Sequence, residues 1–281
     1  MKLITKAIAV TLRALGLDPN LPRADIILKL RTTPGGNPRK ILGTSTKVEK
    51  GEKIGVLTSV VYLSPSKEAG INLCPFASDG CAAACLGHST GHLSYSTNQA
   101  VRIAKTLWFH LDPDSFLAQL EAEIRLHETR AQIMGKRSAI RLNGSSDILW
   151  EKHVDMTAFP DTTFYDYTKF PHATRADRPA NYHLTFSLDE RIGSMDRAMV
   201  WLSSGGNVAV VVAAQGSTNR NHAKLAARHI ITHGWNSYPV LDGDESDVRF
   251  DDQPGHWVAL YAKGPKALHD NTNFVQRIPL S

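Results

Sequence analysis

"IGVLTSVVYL", residues Ile54–Leu63, is the stretch whose reading sets the fold. It is β-branched and apolar, and Ser64-Pro65 ends it. A run of that length and composition predicts a strand buried on both faces. The pattern returns downstream. "SAIRLNGSSD" ends at Asn143, Ser145, Ser146 and Asp147. "TTFYDYTK" ends at Asp166 and Lys169, and "YHLTFSLDE" ends at Ser187, Asp189 and Glu190. "NVAVVVAAQ" is continuous and apolar up to Gln215. "YPVLDGDESDVR" ends at Asp242, Asp244, Glu245, Asp247 and Arg249, and "HWVALYAKG" ends at Lys263. Helical stretches are predicted over 97–110, 114–134, 190–202 and 219–232, where apolar residues recur at helical spacing or a breaker such as Asp112-Pro113 sets the limit. Near-continuous apolar strands alternating with helices predict a parallel α/β sheet. In such sheets, and in βα barrels, the C-terminal strand ends carry the chemistry. Turns are polar anyway, which accounts for the glycines and serines. The recurrence of Asp, Glu and Lys after five separate strands asks for more.

The loop after the first strand holds every cysteine in the chain. "NLCPFASDGCAAACLGHSTGH", residues Asn72–His92, contains Cys74, Cys81 and Cys85 in the spacing C-x6-C-x3-C. An odd number excludes a closed disulfide framework. The residues between them are small or turn-forming, so the loop can wrap its thiolates around one centre. Cys81 and Cys85 stand four apart, which puts both sulfurs on one side of a helical turn. Three readings stay open. Three thiolates can hold a [4Fe–4S] cluster and leave one iron without a protein ligand. Together with His88 or His92 they make a Cys3His zinc site. Or they are three small buried hydrophobes.

Composition bounds the rest. Apolar residues at 42% and charged residues at 21% describe a globular chain, not a disordered one. The longest uncharged stretch near the start, Ala7–Leu12, is closed by Arg13. That is too short for a secretory core or a membrane span, so the expectation is a cytoplasmic protein with no membrane segment. Charge is uneven. Residues 1–53 carry 11 Lys or Arg against 4 Asp or Glu, and the remainder is slightly acidic. Two units are therefore expected: a basic N-terminal segment, 1–53, and a βα domain, 54–281, with the cysteine loop at 74–85. The basic segment can attract the phosphates of a nucleic acid, or serve as a solubilising arm. The acidic run 242–247 reads as a solvated loop, with a divalent cation as the other reading. No phosphate-binding G-x-x-x-x-G-K-[ST] loop, H-E-x-x-H pair or nucleophile elbow is present.

The order strand, three-cysteine loop, helix, strand, polar motif resembles the radical S-adenosylmethionine superfamily. That resemblance implies a partial parallel βα barrel with the cluster loop after its first strand. It implies that Asn143, Ser145, Ser146 and Asp147 meet the amino group of S-adenosylmethionine. It implies that Ser187 or Glu190 holds the ribose, and that Asp166 and Lys169 face the substrate or form an ordinary ion pair. The spacing departs from the superfamily's usual C-x3-C-x2-C, and no Gly-Gly-Glu follows the second strand. The series "CPFASDGCAAACL", "RLNGSSD", "FYDYTK", "FSLDE" and "ALYAKG", from about residue 35 onward, is similar to an uncharacterised family of bacteriophage proteins, gene product 88. Two functions of different class follow: a radical-type iron–sulfur enzyme acting on nucleic acid or a nucleotide, and a non-catalytic binding protein stabilised by zinc or a cluster.

Overall fold

The computed structural model describes residues 3–85 and 95–280. His88 and His92, the histidines of the zinc reading, lie outside the described residues. The N-terminal segment is not an extended arm. It forms α1 (Lys6–Ala14) and α2 (Arg23–Arg31). Ile8, Leu12, Ile26 and Leu30 bury their side chains in the same core as Trp108 and Leu111. Burying several such side chains at about 1.5–3 kcal/mol each is ample to dock two nine-residue helices. Lys6, Arg13 and Lys29 are left exposed, while Arg39 is half-buried and donates to Leu30 O and Thr32 O.

The sheet begins with a two-residue strand, β1 (Leu42–Gly43), antiparallel to β2 (Val56–Val61). β3 (Arg137–Arg141), β4 (Thr162–Thr168), β5 (Tyr182–Ser187) and β6 (Asn207–Ala214) then add in sequence order, all parallel. After β7 (Val240–Asp242), β8 (Trp257–Tyr261) inserts between β6 and β7. The short β9 (Gln276–Ile278) pairs with the far end of β6. Val212 is paired with both Tyr261 and Gln276, so β9 takes the edge of β6 that β5 has left after Ala209. β5 and β6 therefore part company at their C-terminal ends.

The expected α/β class and parallel sheet are present, but the sheet is not closed into a barrel. One end is capped by antiparallel β1 and the other by β7, and these ends do not pair. The expected alternation with helices also holds only in part. Among the described residues, the β3–β4 and β4–β5 connections carry only 3-10 turns. Longer helices occur elsewhere: α3 (Ser96–Leu111) and α4 (Pro113–Ile133) between β2 and β3, α5 (Ser194–Ser203) after β5, and α6 (Arg220–His233) after β6. Asp112 caps α4 through Ser115 N, with Pro113 in its first turn, as the breaker predicts.

One face of the sheet is covered by these helices. Ile140, Phe164, Phe186 and Val210 join Trp108, Phe116 and Trp201 there. The other face is covered by a strap between β7 and β8. Val248 of the strap packs on Val56, Ala139 and Tyr165, with Phe250 against the same group. The Phe250 ring lies 5.3 Å from that of Tyr165. Asp247 is buried and pairs with Arg141 at 2.6 Å. The acidic run is therefore no solvated loop throughout: Asp242 and Glu245 are exposed, but Asp247 is interior, and Asp244 bonds Tyr261 N and Lys263. Cover on both faces is why the strands read as continuous apolar runs.

Candidate functional site

The cysteine loop sits over the C-terminal ends of β2, β3, β4 and β5. Its short helix, Asp79–Ala83, starts at Ser78, whose Oγ accepts from Cys81 N at 3.2 Å. The Ser78 hydroxyl donates to Glu190 at 2.7 Å, and Gly80 N donates to the same carboxylate at 2.8 Å. Glu190, placed on a cofactor ribose by the resemblance, thus anchors the first turn that carries Cys81. Asp147 N donates to Leu73 O at 2.9 Å, and Arg191 donates to Phe76 O at 2.7 Å. Phe76 packs against Phe170, ring centroids 4.5 Å apart. Gly80 admits no side chain: a Cβ there would lie 2.6 Å from Phe274 Cβ and 2.9 Å from the Glu190 carboxylate.

None of the three cysteines is in a disulfide, and all are half-buried. Burial pushes the Cys74 thiol up to about 12, helped by the Asp147 charge and by the other two thiols. Burial also raises Cys81, opposed by the Lys169 cation. Each of these thiols feels the others or the same acidic neighbours, so the loop gathers them in one region. Cys74 Sγ accepts from Ser66 N at 3.2 Å. Among the described residues, no three His, Cys, Asp or Glu side chains stand close enough together to grip a metal ion. A single-ion site is therefore not preformed there. Thiolates around an iron–sulfur cube stand farther apart than those around one ion, and three thiols are a donor set that such a cube takes.

The remaining expected residues divide into two groups. Asp147, Lys169, Ser187 and Glu190 lie at the loop. Asp147 accepts from Thr168 Oγ1 at 3.0 Å and from Lys169 N at 2.8 Å. Burial raises its carboxyl to about 6 against those hydrogen bonds. The Lys169 ammonium fills the gap where β5 and β6 separate. It donates to Ser187 O, Ser187 Oγ and Leu188 O at 3.0–3.2 Å and lies 5.1 Å from the Phe274 ring centre. Ser145 donates to Leu63 O at 2.5 Å and so ties the loop after β3 to that after β2.

Asn143, Ser146 and Asp166 are engaged elsewhere. Asn143 Oδ1 accepts from Ser146 Oγ, Ile148 N and Trp150 Nε1, and its amide donates to Ile148 O. Both side chains shape their own turn. Asp166 accepts from Leu142 N, Asn143 N and the Tyr182 hydroxyl, and is raised to about 7 by burial, with Arg141 opposing. Side chains alternate across a strand. Phe164 and Asp166 point to the helix-covered face, and Tyr165, Tyr167 and Lys169 follow the other parity. Asp166 and Lys169 do not form a pair.

The sequence reading missed Arg191 and Arg141, and it placed Asp247 in a solvated acidic run. Arg191 carried a signal, because it directly follows Glu190. The pairing of Arg141 with Asp247 spans 106 residues and leaves no local pattern.

No helix among the described residues is long and apolar enough to cross a membrane. No curated protein and no solved structure matches the chain. A family model described as gene product 88 matches residues 30–278, which takes in β1 to β9, the cysteine loop and the strap. The chain belongs to the gene product 88 family, as the series of motifs from "CPFASDGCAAACL" to "ALYAKG" implies.

Proposed function

We propose that this protein holds a [4Fe–4S] cluster on Cys74, Cys81 and Cys85 and works as an iron–sulfur enzyme at the C-terminal ends of its parallel strands. The observation that carries this reading is the placement of the thiols. Every cysteine of the chain lies on one loop, and that loop is tied down by Glu190 and Arg191 after β5 and by Asp147 after β3. Structural cysteines pack as small hydrophobes and ask for no such scaffold. When bound, a cluster with three protein thiolates supplies an electron and one iron open to a further ligand.

The chain's own residues then have distinct parts. Glu190 fixes the turn that carries Cys81. Lys169 places a cation beside Cys81, Asp189 and Glu190, which offsets the negative charge that three thiolates add. Asp147 sits between Cys74 and Lys169 and would be the acceptor for a ligand's amino group. S-adenosylmethionine is the first ligand to test at the open position.

Anaerobic purification with iron and sulfide analysis tests the reading. The expected result is a brown protein with about four iron atoms per chain, bleached by dithionite. A colourless protein with one zinc per chain would replace it with a zinc-stabilised binding protein. A brown protein that does not bind S-adenosylmethionine would keep the cluster and remove that cofactor.

A further inference from the structure

Next to the cysteine loop, three cations gather around one aromatic ring. Arg220 and Lys224 stand one turn apart on α6, and Lys263 follows β8. The Arg220 guanidinium lies 5.5 Å from the centre of the Tyr261 ring and donates to its hydroxyl at 3.1 Å. The Lys224 and Lys263 ammonium groups lie 5.6 and 4.7 Å from the same centre. Asp244 pairs with Lys263, but no carboxylate pairs with Arg220 or Lys224 among the described residues. Both of those side chains are exposed.

This gathering does little for the fold. An exposed cation–π contact is worth about 0.5–1 kcal/mol. Like charges gathered at one ring also repel each other, which works against that gain. The position, by contrast, is informative. Ala84, beside Cys85, packs in one small core with Ala213, Ala223 of α6, Ala262 and Ala267. The cations thus stand on the rim of the face that carries the thiols.

We propose that Arg220, Lys224 and Lys263 bind the phosphodiester backbone of a single-stranded nucleic acid and lay it along the rim of the cysteine loop. This names a substrate class for the proposed enzyme. Binding itself does not need the cluster, so the two ideas fail separately. A compact cation cluster on one ring suits successive phosphates of one flexible strand. A base in an intact duplex could not reach a buried reactive group without leaving its stack. Tyr261 acts as a post that holds the cations together.

The test measures binding of a fluorescein-labelled single-stranded oligonucleotide to the full chain at several salt concentrations, with and without metal loaded. Arg220→Gln/Lys224→Gln should weaken binding roughly tenfold to a hundredfold near ~0.1 M salt, and lower the salt slope by about 1.4. Lys6→Gln/Arg13→Gln on α1 should leave both nearly unchanged. Equal binding by wild type and the first variant would overturn the proposal, as would a loss confined to the α1 variant. Inorganic phosphate or a mononucleotide that competes as well as unlabelled oligonucleotide would also overturn it, because the site would then take a lone phosphate. A melting temperature within a few degrees of wild type shows that the variants are folded.

Discussion

The strap between β7 and β8 and the cysteine loop are both irregular segments laid over the same sheet, yet they are held by opposite means. The strap puts its own side chains inward. Asp247 pairs with Arg141, and Val248 and Phe250 fill the space beside Tyr165. The cysteine loop is held mainly from outside itself: Glu190, Arg191 and Asp147 reach into it, while its thiols are half-buried. A segment that uses its side chains to hold the fold has none to spare for chemistry. A segment fixed by others does not need its thiols to hold the fold, and this asymmetry marks the cysteine loop as the working part.

The largest effect on stability should come from the strap. Asp247→Ala leaves the Arg141 guanidinium buried with its partner gone, at a cost of about 3–5 kcal/mol. Urea denaturation measures it. A loss below about 1 kcal/mol would mean that water reaches Arg141 and that the strap is a loose cover.

The next effect is a pH dependence. Burial raises Asp166 to about 7 and Asp147 to about 6, from an ordinary 3.8. Between those limits the folded chain holds protons that the unfolded chain has released. On the account of these two groups, stability is greatest below about pH 4 and falls as pH rises to about 7. Asp166→Asn is less stable in acid, because its amide faces a donor, but it lacks one of the two titrations. Its stability should fall less than that of wild type from about pH 5 to about pH 8, by roughly 2 kcal/mol. Parallel curves for the two proteins would show that Asp166 is ionised throughout.

The smallest effect on the fold should be the most telling for function. Glu190→Ala removes one acceptor shared by Ser78 Oγ and Gly80 N, at about 1–2 kcal/mol. Its iron content per chain should nevertheless fall to less than half of wild type. A variant that keeps full iron would show that the anchor is dispensable for the site.

Much of the fold was legible because it rests on local pattern. The apolar runs located β2 to β6 and β8, and Asp112-Pro113 located the break between α3 and α4. The cysteine loop and the strand-end residues Asp147, Lys169 and Ser187 were legible for the same reason. The strap was not. "DGDESD" carries every sign of a solvated loop, and only a guanidinium 106 positions away makes Asp247 an interior residue. Closure was illegible as well, since whether two edge strands meet depends on twist and stagger summed over the sheet. The alternation of β4 does separate Asp166 from Lys169, so that distinction was available from parity alone.

The central claim is that the three thiols hold an iron–sulfur cluster. Metal and sulfide analysis of anaerobically purified wild type beside the Cys74→Ala/Cys81→Ala/Cys85→Ala variant tests it most directly. The account predicts about four iron and four sulfide per chain in the wild type and none in the variant, with both chains folded. An iron-free wild type carrying one zinc, or equal iron in the two proteins, would contradict it.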